Sequence, residues 1–167
     1  KFRIDYIKNV CKELISILKN GDTIILRSTV KVGTTRDIVF KHFDEAGKKI
    51  NIAYCPERTQ EGKALDELSS LPQIISGINS KSLRVSKKLF SSVTKETISL
   101  SSIEAAELLK IVDNTYRDSS FAFANEIALI ASNLGLSANE IITAGKKNYK
   151  RTNIPLPGPV GGPCLAK

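Results

Sequence analysis

Four stretches of this chain carry residue types that can do chemistry. The last in order is Pro157-Gly158-Pro159-Val160-Gly161-Gly162-Pro163-Cys164. Consecutive glycines let backbone approach a ligand closely and set the following thiol on a tight turn, where it can serve as a nucleophile. A buried cysteine that only packs is the plain alternative. Lys110 and Asn114 lie four apart in a helix-forming region, so they share one face. An amine beside a carboxamide is a donor pair suited to an oxyanion, although a helical lysine more commonly faces solvent. Tyr54-Cys55-Pro56-Glu57-Arg58-Thr59-Gln60-Glu61-Gly62 offers two carboxylates four apart with an arginine between them. Such a set can hold a general base and oriented polar contacts, or can simply pair in solvent. Arg27-Ser28-Thr29-Val30-Lys31-Val32-Gly33-Thr34-Thr35 brings hydroxyls and a glycine to the end of an apolar run, fit for a cofactor or substrate. There the plain alternative is a helix N-cap by Thr34 or Thr35.

The elements that must position these residues are legible in the apolar spacing. Residues 4–19 have helical periodicity and stop at Gly21. Thr23-Ile24-Ile25-Leu26 is a short apolar run, as in a strand covered on both faces. Helical spacing returns over 35–46, and strand-like runs follow at 50–54, 73–76 and 97–100, with a helix over 80–93. Strands alternating with helices predict an α/β fold with crossover connections and a parallel sheet.

Strand character ends near residue 100. Ser101 and Glu104 have capping-box spacing, and about thirty residues then run without Pro or Gly as far as Gly135, predicting one long helix. A second such box, Ser137 to Glu140, opens a helix ending near Tyr149, and 151–167 is a Pro/Gly-rich loop. No G-x-G-x-x-G turn occurs. Either the sheet binds no dinucleotide or the chain starts after that half of a doubly wound fold. The first residue, which is not methionine, favours the second expectation.

Composition excludes several classes. With 41% hydrophobic and 25% charged residues the chain is neither disordered nor membrane-spanning in pattern, and a cytoplasmic protein is expected. The net charge of +8 comes from scattered lysines without interleaved aromatics, so a solvated basic surface is expected rather than nucleic-acid binding. Three widely spaced cysteines and a single histidine predict neither a metal site nor a disulfide scaffold, and leave at least one free thiol.

Taken together, Ser28-Thr29-Val30, Pro56-Glu57-Arg58 with Glu61-Gly62-Lys63-Ala64, Glu107, Lys110 and Asn114 with Tyr116-Arg117, and Gly161-Gly162-Pro163-Cys164 resemble the UDP-glucose/GDP-mannose dehydrogenase family in order and spacing. The resemblance covers nearly the whole chain. It implies that residues 1–100 are the second half of a Rossmann-like NAD-binding domain, and that 101–167 are an all-α central dimerisation domain with one long helix. It implies an NAD-dependent, four-electron oxidation of the C6 alcohol of a nucleotide sugar, through a thiohemiacetal and thioester on Cys164. By the family pattern Lys110 and Asn114 stabilise the oxyanions, and Glu57 is the base for thioester hydrolysis. Ser28, Thr29 and Glu61 line the cofactor side, with Thr29 also near the chemistry. Arg58, Thr59, Gln60, Glu61, Lys110, Arg151, Asn153 and Gly161 hold the UDP-sugar.

Pro56-Glu57-Arg58 and Arg151-Thr152-Asn153-Ile154 look more like members acting on UDP-N-acetylmannosamine or UDP-N-acetylglucosamine than on UDP-glucose. The resemblance further implies a homodimer through the long helix, cytoplasmic work in polysaccharide synthesis, and no membrane or nucleic-acid partner. Two departures stand out. Pro159 replaces a common family glycine, and the chain stops at Lys167, before the family's aspartate four residues past the cysteine. The chain alone is therefore expected to be inactive. Rival readings are a UDP-glucose 6-dehydrogenase, a single-step dehydrogenase of the 3-hydroxyacid type that needs no thiol, and a non-catalytic dimerisation or basic binding module.

Overall fold

The computed structural model describes residues 3–159. The chain forms two compact units, Lys1–Ile111 and Val112–Lys167. The first opens with α1 (Ile4–Ile17), β1 (Thr23–Leu26), a π-helical segment (Thr35–Phe40) running directly into α2 (Lys41–Glu45), and β2 (Asn51–Tyr54). It continues with α3 (Ala64–Ser70), β3 (Gln73–Gly77), α4 (Ser80–Phe90) and β4 (Thr97–Ser99). Helix α5 (Ile103–Asn133) crosses from the first unit into the second, which also holds α6 (Ala138–Lys146).

The fold is α/β, with the strands in the order β1-β2-β3-β4. The expectation of a wholly parallel sheet needs correction at one pairing. β1 pairs with β2 and β3 with β4 in parallel, but β2 and β3 are antiparallel, with Ala53 opposite Gly77 and Tyr54 opposite Ser76. The connections explain the difference. A parallel crossover needs a helix that packs on the sheet face, and α4, which buries Ser82, Ser86 and Phe90, is one. α3 buries none of its residues. It projects from a loop that turns the chain back along β2. Because the antiparallel pairing is short, the Ile52 amide donates instead to Ser82 Oγ at 3.1 Å. Gly77 is required at this junction, since an added Cβ would collide with the backbone of Leu83.

Three clusters form the core of the first unit. Cys11, Val39, Phe43 and Ile52 pack between α1, the π-helical segment, α2 and the sheet. Ala53, Cys55, Ile75 and Phe90 pack beneath α4, and Val30, Tyr54, Ile74, Ile103 and Ala106 join the sheet to the start of α5. Each of the large wholly buried side chains, such as Phe43 and Ile75, contributes about 1.5–3 kcal/mol by leaving water.

Helix α5 matches the long helix predicted, but its cap is Ser102 rather than Ser101: Ser102 Oγ accepts from the Ala105 amide at 3.1 Å. Ser137 caps α6 as expected, accepting from the Glu140 amide at 3.3 Å. In the second unit Asn125 and Gly158 exchange two hydrogen bonds of 2.9 and 3.0 Å, so a side-chain amide grips the loop backbone as a neighbouring strand would. No helix among the described residues is long and apolar enough to cross a membrane.

Candidate active site

Because β1 and β2 run parallel, their carboxyl ends open on one edge of the sheet, where ligands of such folds bind. The ladder continues beyond the strands: the Cys55 amide donates to Leu26 O at 3.0 Å and the Glu57 amide to Arg27 O at 3.1 Å. This sets the Ser28-Thr29 loop beside the Pro56-Glu57-Arg58 loop. Ser28 is exposed and Thr29 half-buried. The Ser28 carbonyl accepts from the Tyr54 hydroxyl at 3.2 Å. Burial, with Glu107 and Cys55 nearby, pushes the Tyr54 phenol well above its ordinary range, so it stays a neutral donor.

Glu57 is the most heavily engaged side chain at this edge. Its Oε1 accepts from the backbone amides of Arg58 and Thr59, each at 2.9 Å, and its Oε2 from Arg27 Nη2 at 2.7 Å. Burial opposes ionisation here. The amide and hydroxyl of Thr59, the Arg27 charge and the Arg58 amide outweigh it and hold the carboxyl below its usual value. Glu57 is thus a fixed, ionised acceptor at the mouth of the sheet.

Arg27 was not singled out from sequence, and it proves central. One nitrogen, Nη2, reaches both Glu57 and Gln73 Oε1 at 3.4 Å, and the guanidinium stacks 5.0 Å from the Phe90 ring centre. Its buried Nε finds no acceptor among the described residues. An unsatisfied buried N–H costs about 1–3 kcal/mol, so this arrangement is a poor device for stability alone.

Glu107, quoted in the sequence pattern without a role, is wholly buried on α5. It accepts from the Gly33 amide at 2.6 Å, the Thr35 amide at 2.8 Å and Thr35 Oγ1 at 2.6 Å. It therefore caps the π-helical segment from more than seventy residues away, and neither Thr34 nor Thr35 makes a side-chain cap of its own. Gly33 sits at φ +93°, where a Cβ would also meet Asp37 Oδ2 at 2.8 Å. Beside it Arg36 pairs with Glu104 at 2.6 Å. The loop that bears Ser28 and Thr29 is thereby tied to the turn of α5 that bears Lys110, three residues beyond Glu107.

Lys110 is half-buried in the first unit. Thr59 is also half-buried, while Arg58, Gln60 and Glu61 are exposed, and the Gln60 amide donates to Glu67 at 2.6 Å. Asn114, Arg151 and Asn153 belong to the second unit, where the Arg151 guanidinium lies 5.5 Å from the Tyr149 ring centre. Cys164 and Gly161 lie outside the described residues. The other two cysteines are buried free thiols: burial pushes Cys55 up to about 12 and raises Cys11, so neither is poised as a thiolate.

An α/β sheet whose carboxyl edge carries hydroxyls and a fixed carboxylate, tied to a long helix bearing a lysine, has the architecture of the nucleotide-binding class. Comparison with known proteins narrows this. Residues 1–94 match the family model described as UDP-glucose/GDP-mannose dehydrogenase family, NAD binding domain, and residues 104–167 match that family's central domain. The chain belongs to the UDP-glucose/GDP-mannose dehydrogenase family. It is 38% identical over 167 residues to the UDP-N-acetyl-D-mannosamine dehydrogenase of Methanocaldococcus jannaschii, covering 99% of this chain and 38% of that protein. It is 32% identical over 175 residues to an NDP-N-acetyl-D-galactosaminuronic acid dehydrogenase of Ralstonia nicotianae, covering 98% of this chain and 41% of the relative. Among solved structures, a UDP-D-ManNAc dehydrogenase from Pyrococcus horikoshii matches with a TM-score of 0.91 at 31% identity, over 98% of this chain and 40% of that one. The chain thus spans about two fifths of the length of these relatives.

Proposed function

We propose that this chain is the part of an NAD-dependent nucleotide-sugar 6-dehydrogenase that joins the cofactor domain to the catalytic thiol. In this reading residues 1–100 complete the NAD-binding domain and 101–167 form the central domain. The observation that carries it is the carboxyl edge of β1 and β2, where Ser28, Thr29 and the fixed Glu57 carboxylate sit side by side and Glu107 ties their loop to the α5 turn of Lys110. Small hydroxyl side chains in a turn that swings wide at Gly33 suit the polar part of a dinucleotide. An NAD⁺ bound there would accept one hydride, so two NAD⁺ molecules would serve in turn, one for each oxidation.

The chain's own residues have the following tasks. In the first oxidation the C6 alcohol loses a hydride from carbon and gives its hydroxyl proton to water, leaving the aldehyde. Lys110 and Asn114 donate to the C6 oxygen as it gains negative charge, and Thr29 lines the site. The Cys164 thiolate adds to the aldehyde carbon, and the resulting thiohemiacetal carries a hydrogen that can leave as hydride where a bare aldehyde could not. Loss of that hydride gives a thioester. Water then attacks its carbonyl, Glu57 takes the water proton, and the carbon–sulfur bond breaks to return the Cys164 thiolate and the uronate. Arg58, Thr59, Gln60, Glu61, Arg151, Asn153 and Gly161 hold the nucleotide sugar.

Relatives named for UDP-N-acetyl-D-mannosamine and NDP-N-acetyl-D-galactosaminuronic acid support an N-acetylhexosamine rather than a glucose substrate. Exposed Val112, Tyr116, Phe123, Leu129 and Ile130 along α5 support a homodimer through that helix, since apolar residues at such density mark an interface. The test is NADH production by the full-length protein on UDP-N-acetylmannosamine, UDP-N-acetylglucosamine and UDP-glucose, before and after Cys164→Ala. Loss of all turnover in the variant is expected, and a variant that still turns over would refute the thiol mechanism. This chain alone is expected to yield no NADH.

A further inference from the structure

We infer that Arg27 is a positioning residue for thioester hydrolysis, holding the Glu57 carboxylate at the one orientation in which it can take a proton from the attacking water. The inference rests on the role proposed for Glu57 and adds to it. Glu57 is gripped from two sides. Its own loop supplies the Arg58 and Thr59 amides to Oε1 and also the Thr59 hydroxyl, and Arg27 holds Oε2 from the neighbouring strand end. The loop amides orient the carboxylate within its own loop, and the Glu57 amide ties the backbone to the sheet through Arg27 O at 3.1 Å, but neither can set the side chain against β3 and α4. Arg27 can: it leaves β1 directly, its guanidinium lies on Phe90 of α4, and Gln73 of β3 takes the same nitrogen. One carboxylate is thus referred to three separate elements, β1, β3 and α4.

The geometry also argues against a merely stabilising ion pair. The pair lies partly in solvent, where such bridges contribute little. The arginine spends one nitrogen on two acceptors and leaves a buried Nε unmatched among the described residues. A fork that only glued loops would use both prongs. The arrangement instead holds Oε2 from β1 and Oε1 from the loop amides, which sets the carboxylate plane.

The experiment uses the full-length protein with NAD⁺ and its nucleotide sugar, and three variants. Arg27→Met keeps the stem on Phe90 and removes the donor. Arg27→Lys keeps the charge without the fork. Glu57→Gln removes the base. The readouts are the rate of the first NADH formed in a single turnover, steady-state turnover, and the intact mass of the enzyme during turnover. For Arg27→Met we expect first-NADH formation within about threefold of wild type, turnover reduced on the order of 10–100-fold, and an acyl adduct on Cys164. Wild-type or faster turnover overturns the inference, because removing the cation leaves a stronger base. A parallel loss of the first hydride step without adduct overturns it too, because a general structural role would do that. Should Arg27→Met fail to fold, Arg27→Lys carries the test, with adduct expected below the Glu57→Gln level and wild-type turnover refuting. If Glu57→Gln accumulates adduct and the Arg27 variants do not, only this inference falls. If Glu57→Gln accumulates none, the role of Glu57 falls and takes the inference with it.

Discussion

Glu107→Gln tests most sharply how the sheet-edge loop is held. The substitution preserves volume and replaces one carboxylate oxygen by an NH2 group. Three donors converge on the native side chain: the Gly33 amide on Oε2, and the Thr35 amide and hydroxyl on Oε1. In the better of the two amide orientations the glutamine oxygen keeps both Thr35 bonds, and its NH2 then opposes the Gly33 amide. One hydrogen bond to a charged group is lost and two donors face each other where Glu107 is wholly buried and Gly33 half-buried. Bonds to charged groups are worth about 1.5–3 kcal/mol, and a buried unpaired amide costs a similar amount, so the expected destabilisation is about 2–4 kcal/mol. Thr35→Val, which removes only the hydroxyl, should cost about 1–2 kcal/mol. The two should be non-additive, because they share an oxygen. Urea unfolding followed by circular dichroism gives the free energies, and amide hydrogen exchange at Gly33 and Thr35 localises the effect. A Glu107→Gln variant within 0.5 kcal/mol of wild type, with both amides still protected, would refute the capping role.

Three further outcomes follow from the same geometry. Cys11 and Cys55 should react with a thiol reagent only on unfolding, and all three thiols should titrate in denaturant; fast modification of Cys55 in the native protein contradicts its burial. The ionised carboxylates of Glu57 and Glu104 are both held below the usual value, Glu57 against burial by Thr59, Arg27 and Arg58, and Glu104 chiefly by Arg36. Their stabilisation is therefore complete above the ordinary carboxylate range and lost as pH falls through the lowered folded values. Glu57→Gln and Glu104→Gln should shift the acid unfolding midpoint less than additive core damage would, and their difference from wild type should shrink towards zero in strong acid. Asn125→Ala removes both bonds to Gly158, so its amide should exchange roughly 10–30-fold faster, with little change at the α6 cap.

Periodicity and punctuation were enough to locate most elements. The apolar run at residues 23–26, the helix that stops before Gly21, and the long stretch without Gly or Pro each carry their signal within a dozen or so neighbours, because strand burial and helix amphipathicity are local constraints. The residue types of the sheet-edge loops were legible for the same reason: chemistry needs particular side chains, and Ser28, Thr29 and Glu57 stand next to predicted strand ends. The antiparallel turn between β2 and β3 was not legible, since it depends on α3 failing to pack on the sheet, which its own pattern does not announce. Ser101 and Ser102 both have capping chemistry, and only the backbone path chooses Ser102.

Sequence alone determined the α/β class and the single long helix, because each rests on local pattern, and it supplied the residue types from which an oxidation through a thiol is proposed. Tertiary structure decided which partners those residues have. Glu107 reads as one more helical glutamate until the fold sets it over Gly33 and Thr35, and Arg27 reads as a loop cation until β1, β2, β3 and α4 enclose it beside Glu57. Contacts between residues 30 to 74 positions apart have no signature in either residue's neighbourhood, since they arise only when the sheet and helices have packed.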